Sequence, residues 1–289
     1  MLRLYTACYL VLGLIPAVFA QDAKGVKNDT IKIDKRQFTL FNPTPRRYMR
    51  PMVPDRPGIT ESPYSVDAGH FQYESDVLRL LTRREGSTHG HDWYVNHALA
   101  KIGLSNRTDL QVGVDSYTDT RNYDDTDPGQ NQLYHGLGDV TLRLKHTLVG
   151  DDNSRWALGL IGYVTLPTGG PRGDGAVEFG AVLPVIYQVT KPWSIGGQVA
   201  TEIYWDRETR SRYLQLTPTF TTDYQFTKVV QAFVELVGYW DVRQVSWRSS
   251  VNTGVQLDVS DSVQLDFGTH LPITHSTDRE YFLGISFRR

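Results

Sequence analysis

The 289-residue chain has one cysteine, Cys8. No internal disulfide can staple it, and no thiolate set can hold a metal. It also lacks an excess of charge of either sign. Its 30 lysines and arginines face 32 aspartates and glutamates, for a net charge of −2. That balance calls for no polyanion partner, and basic and aromatic residues do not cluster into a nucleic-acid surface. Past the N-terminus no apolar run approaches the roughly 20 residues of a spanning helix. A chain of this kind that crosses a membrane does so as a closed barrel of strands. No glycine-rich phosphate loop or cysteine–histidine pattern is present, so the sequence calls for no cofactor.

Residues 1–20 read as a secretory signal peptide. Arg3 supplies the positive start, Leu10 to Ile15 the apolar centre, and Val18-Phe19-Ala20 a small-x-small cleavage site. Cys8 lies inside this segment, too early for a lipobox and with Tyr5 in place of an aliphatic residue, so the mature chain is expected to be free of thiols. Residues 21–63 differ in composition from the remainder of the chain. They are basic at first (Lys24, Lys27, Lys32, Lys35, Arg36) and then carry Pro43, Pro45, Pro51, Pro54, Pro57 and Pro63. Proline removes ladder donors, so no central strand belongs here. The segment reads as a periplasmic arm or as a plug folded into a lumen, with a disordered tail as the plain alternative.

Residues 64–289 read as an all-β, transmembrane antiparallel barrel of about twelve strands. Residues 138–169 set that reading. Val140, Leu142, Leu144 and Leu148 alternate with Asp139, Thr141, Arg143, Lys145 and Thr147. After the polar turn Asp151-Asp152-Asn153-Ser154 the chain returns with Trp156, Leu158, Leu160, Val164 and Leu166 on one face. A period of two places one side in lipid and the other in water. Short connectors at 104–108, 150–154, 190–192, 226–228 and 260–262 alternate with longer ones at 83–91, 119–135, 169–177, 206–210, 241–245 and 272–279. Tight periplasmic turns and longer outer loops give that rhythm. Trp156, Trp193, Trp205, Trp240, Trp247 and Tyr281 fall near strand ends, where interfacial girdles belong. Asp124, Asp125 and Asp127 in the 119–135 connector make an acidic outer mouth the expectation.

By parity the lumen receives Glu74, Lys101, Asp109, Asp139, Arg143, Lys145, Arg155, Glu178, Glu202, Asp223, Glu235, Arg248, Asp258, Asp266, His270 and Glu280. Charges of both signs so placed must pair or meet water. They describe either a selective polar pore or a paired ladder that fills a narrow barrel. Ala157, Gly159, Ile161, Val182, Pro184, Ile186 and Ala200 break the polar pattern. That apolar patch suits either a hydrophobic or aromatic solute, or the packing of the arm.

Other chemistry is sparse. His89, His91 and Asp92 offer only two imidazoles and a carboxylate in one stretch, so a solvated loop is expected rather than a metal site. His275 and Ser276 are adjacent and would point to opposite faces of an extended chain, which does not make a nucleophile and its base. No enzyme activity is expected. Arg172-Gly173-Asp174 reads as a glycine turn.

Several short motifs occur in order. They are Asp55-Arg56-Pro57-Gly58, Glu61-Ser62-Pro63-Tyr64, Gly69-His70-Phe71-Gln72 with Glu74, Gly136-Leu137-Gly138-Asp139 leading to Lys145, and Leu166-Pro167-Thr168-Gly169. Together they resemble the family of the MetA-pathway of phenol degradation, from about Pro54 onward. The resemblance implies an outer-membrane barrel of a Gram-negative-type bacterium and a channel or transporter for small molecules. A closed structural or partner-binding barrel is the alternative. Outer-membrane lipid, a small solute and, through the last strand, the barrel-assembly machinery are the expected partners. That strand, Tyr281, Leu283, Ile285 and Phe287, alternates up to Arg288-Arg289.

Overall fold

Apolar side chains at every second position fix the architecture, because only a sheet that closes on itself leaves no unpaired edge in lipid. The computed structural model describes residues 34–289, apart from positions 128, 130, 171, 172, 174, 208 and 276 and the side chain of Glu85. The signal peptide read at 1–20, the first part of the arm, and Arg172, Asp174 and Ser276 lie outside the described residues.

Thirteen strands form one antiparallel sheet: β1 (Phe71–Glu85), β2 (Thr88–Ser105), β3 (Thr108–Asp124), β4 (Gln132–Gly136), β5 (Val140–Val149), β6 (Trp156–Leu166), β7 (Glu178–Thr190), β8 (Trp193–Asp206), β9 (Ser211–Gln225), β10 (Val230–Asp241), β11 (Ser246–Ser260), β12 (Val263–Pro272) and β13 (Arg279–Arg288). Except for β4 and β5, which both pair with β3, each pairs with its sequence neighbours, and β1 pairs with both β2 and β13, which closes the barrel. The short β4 and β5 share one stave. β4 pairs with the outer part of β3 (Thr118–Asn122) and β5 with the inner part (Thr108–Val114). Twelve staves therefore make the wall.

The outward face carries Leu110, Leu144, Leu160, Leu183, Val199, Phe220, Leu236, Phe267 and Leu283, all exposed to the surroundings. A continuous belt of that kind is a lipid contact and not a water-facing surface. Aromatic residues bound it at both ends. Trp156 pairs with Tyr187 and Trp193 with Tyr224 near the short turns, while Trp240 pairs with Trp247 near the long loops. The expected girdle and the short-and-long rhythm are both present, with two differences in the outer connectors. The one expected at 119–135 is mostly strand, since β3 runs to Asp124 and β4 begins at Gln132. The first outer connector, expected at 83–91, is a tight turn between Glu85 and Thr88. Strands β1, β2 and β3 instead run 15, 18 and 17 residues and project as a tongue.

Irregularities interrupt the first staves, although β1 stays paired with β13 as far as Thr82. The β1–β13 register shifts between Asp76 and Leu78, and Asn96 on β2 adopts φ 58°. Asparagine tolerates the left-handed region when its side chain is bonded locally. Here its Oδ1 accepts from the hydroxyls of Ser75 (2.8 Å) and Tyr73, and its Nδ2 donates to Ser116 Oγ on β3 (2.9 Å).

Gly103 on β2 shows how closely the arm approaches the wall. A Cβ there would collide with the backbone of Val66 and Asp67. Gly103→Leu is expected to weaken the seating of the arm by about 1–3 kcal/mol, the usual cost of overpacking. Limited proteolysis with thermolysin, read as cuts within residues 52–66, shows this as faster cleavage, while the barrel keeps its heat-modifiable gel mobility. Unchanged cleavage would contradict the contact.

Candidate functional site

Residues 35–50 lie across the end of the barrel that carries the short turns. Leu40 N donates to Leu104 O (3.0 Å), Thr39 bridges to Ser105, and Lys35 and Arg50 both reach Asp152 in the β5–β6 turn. Asn106 in the β2–β3 turn ties the segment down, accepting from Thr44 Oγ1 (2.9 Å) and Ala68 N (3.2 Å) and donating to Lys35 O (2.8 Å). From there residues 51–60 enter the lumen, and 61–70 return to the start of β1.

Prolines keep this segment out of the sheet, so its backbone donors need other partners. Side chains of the wall supply them. Glu74 accepts from Asp55 N (2.9 Å), and Glu235 from Ile59 N (2.9 Å) and Thr60 N (2.6 Å). Gln198 accepts from Glu61 N (2.7 Å) and donates to Ile59 O (2.9 Å). Thr147 accepts from Ser65 N (3.1 Å) and Asp109 from Val66 N (2.7 Å). Charge pairing adds to this. Asp55 lies between Lys101 and Lys145, and Lys101 also reaches Glu74. Arg56 donates two bonds to Asp266 (2.6 and 3.2 Å) and pairs with Asp76. Glu61 pairs with Arg143. Asp67 receives Arg288 (3.3 Å) and Arg50 N (3.2 Å). The penultimate arginine keeps the inward parity of Phe282, Gly284 and Ser286 on β13 and so faces the lumen.

Burial pushes the Asp55 carboxyl up, but Lys101, Lys145 and Arg143 together pull it well below the usual carboxylate range. Asp55, Lys101 and Lys145 are almost fully buried, so the stability of the group depends on all partners being present.

The parity-assigned residues fall into three groups. Glu74, Lys101, Asp109, Arg143, Lys145, Glu235 and Asp266 hold the arm. Others bond to the wall itself. Glu202 accepts from Tyr163 Oη (2.9 Å) and Thr217 Oγ1 (2.8 Å), Glu178 from Trp205 N (2.6 Å), and Asp139 from Gly169 N (2.6 Å). Asp223 accepts from Thr221 Oγ1 (3.3 Å), and His270 faces Glu280 at 3.2 Å. The third group lies near the rims. Arg155 is exposed just before β6, Asp258 is partly exposed near the β11–β12 turn, and Arg248 is exposed at the outer mouth.

The apolar patch is split. Ile161, Val182 and Ala200 form a small buried cluster with Tyr163 against it, and Pro63 of the arm lies over Gly159. Sequence parity did not single out Tyr163 or Tyr204, nor the arm's Asp55, Arg56 and Glu61 as partners of particular wall charges.

The stretch with His89, His91 and Asp92 is part of β2 and not a loop. His89 stacks on Tyr123 (5.3 Å, 19°) and faces Asp125 at 3.3 Å, while Asp92 pairs with Arg83. Among the described residues no group of three or more potential ligands gathers for a metal. Above the arm the lumen retains a cavity of about 380 Å³ bounded by Tyr94, His97, Asp115, Asp139 and Arg143.

The family described as "Putative MetA-pathway of phenol degradation" matches residues 54–288. No curated protein matches the chain. Among solved structures, an outer membrane channel from Pseudomonas putida F1 has 13% identity and a TM-score of 0.59, covering 81% of this chain and 98% of that one. The NanC porin has 12% identity and a TM-score of 0.45, over 73% of this chain and 98% of its own. The CymD monoaromatic hydrocarbon channel has 8% and 0.41, over 76% and 87%. At 13% identity the likeness to the Pseudomonas channel is one of fold.

Removing one partner from a buried ion group costs about 3–5 kcal/mol, so Lys145→Met should expose residues 51–66 to protease while the barrel stays folded on gels. The same assay gives the pH dependence. The Asp55 carboxyl is held below its ordinary value of 3.8, so its contribution is complete above that value and falls only as pH drops through the lowered one. Protection should be equal at pH 7 and about pH 5. Loss of protection over that interval would contradict the pairing.

Proposed function

Because the chain belongs to the MetA-pathway of phenol degradation family, we propose that it is an outer-membrane channel for small molecules whose periplasmic half is closed by its own arm. The observation that carries this reading is the character of the seal. The lumen wall meets the arm through polar and charged side chains, several of them bonded to main-chain amides. An apolar core would fill a barrel permanently. A polar interface can exchange protein partners for water when the arm leaves, which suits a plug. The lumen charges then line a path with both signs on neighbouring staves, giving electrostatic selection. Aromatic or apolar solutes would meet Gly159 and its neighbours only once Pro63 moves off that wall.

In this reading the belt around Leu144, Leu183 and Leu236 contacts outer-membrane lipid. The barrel-assembly machinery would take hold of β13, whose outward Tyr281, Leu283 and Phe287 form an apolar stripe. The barrel acts by conduction and not by catalysis.

Planar-bilayer recording of the refolded mature chain tests this. The intact chain should conduct weakly, and a chain lacking residues 21–63 should give steady, larger channels with an ion preference. Silence in both, with folding shown by heat-modifiable mobility, would favour a closed structural barrel instead.

A further inference from the structure

The outer mouth holds a second cavity, of about 560 Å³, between the tongue and the β12–β13 loop. Arg83, Arg84 and Arg248 line it, with His275, against the carboxylates of Asp124 and Asp278. Asp124 Oδ1 is taken up within its own turn by Thr126 N (2.8 Å), Thr126 Oγ1 (2.6 Å) and Asp127 N (3.3 Å). Asp125 faces His89, and Asp127 accepts from Gly129 N (3.0 Å). The mouth thus carries guanidinium groups facing the cavity beside the carboxylates expected there.

Among the described residues Arg248 makes one long bond, to Gln215 Oε1 at 3.5 Å, and lies over the Tyr239 ring at 5.7 Å. Arg83 shares its guanidinium between Asp92 and a long contact to Asn122 (3.5 Å). Burial pushes the Asp278 carboxyl up while Arg83 pulls it down. The lining also includes the hydroxyl and amide groups of Thr88, Asn122 and Gln132, and Tyr123 stacked on His89. Among the described residues no aliphatic side chain lines it.

We propose that this cavity captures a hydrophilic organic anion of the hydroxy-acid or sugar-acid class, as the first station of the channel. The carboxylate would lie on Arg248 and Arg83, since planar guanidinium forks match carboxylates. Its hydroxyls would meet the Asn122 and Gln132 amides. The volume falls in the range of small-molecule sites. The inference rests on the channel reading for its role in transport, but the binding site stands or falls by itself.

Isothermal calorimetry on the full mature chain in detergent at low salt separates the two. Sodium galacturonate should bind, and neutral galactose and benzoate should each bind at least tenfold more weakly. Arg248→Gln should weaken galacturonate at least tenfold, and Arg84→Gln gives a second variant should the first not fold. Galactose equal to galacturonate would show that charge is not read. Benzoate equal or tighter would show that hydroxyls are not read. Unchanged binding in a folded variant would remove the arginines from the site. Each of these overturns the inference. Bilayer recording on the same sample distinguishes the failures: conductance without galacturonate binding removes the site and keeps the channel, while binding without conductance does the reverse.

Discussion

An ionised side chain inside a membrane barrel is stable only where it meets water or an opposite charge. The lower half of this lumen has replaced water with protein. Asp55 between Lys101 and Lys145, Arg56 on Asp266 and Asp76, and Glu61 on Arg143 are three versions of one solution. In each, a charge on a proline-rich segment neutralises charge on the wall, on two staves for Asp55 and for Arg56. The prolines and the charges are therefore linked. Proline denies the segment a strand's ladder, and the wall's carboxylates and amides accept the main-chain donors that a ladder would have used.

That arrangement gives the barrel two unlike halves. Toward the short turns the arm and its buried ion groups exclude solvent. Toward the long loops the wall turns to its own bonds, as in Glu202 with Tyr163 and Thr217, and leaves open space. The tongue of β1–β4 and the guanidinium-lined mouth stand above this space. A solute arriving from outside would thus meet a polar vestibule before any apolar wall. An aromatic cargo is the expectation that fits the outer lining least well.

Period-two alternation made the wall legible from sequence alone. Leu142 and Leu144 against Arg143 and Lys145 gave the two faces, and the turn rhythm gave the stave number, because both are local properties. The tongue was not legible. Irregularities at Asp76 and Asn96 accompany it, and a bulge leaves no mark in an alternating pattern until its partners are known. The arm was placed between two readings for a similar reason. Asp55 and Lys145 are 90 positions apart, and no spacing rule relates them. The Asp-Arg-Pro-Gly and Glu-Ser-Pro-Tyr motifs did mark the segment. In the structure they are its anchors, since Asp55, Arg56 and Glu61 make the ion pairs and Pro63 covers Gly159.

The central claim is that wall side chains hold the arm's main chain inside the lumen, and amide hydrogen exchange of the folded mature chain tests it most directly. If Glu74, Glu235 and Asp109 accept those bonds, the amides of Asp55, Ile59, Thr60 and Val66 should exchange as slowly as strand amides of β1 and β10. The exposed amides of the β3–β4 loop should exchange fast. Exchange of all four arm amides at the rate of that loop, in a barrel whose strands remain protected, would contradict the claim.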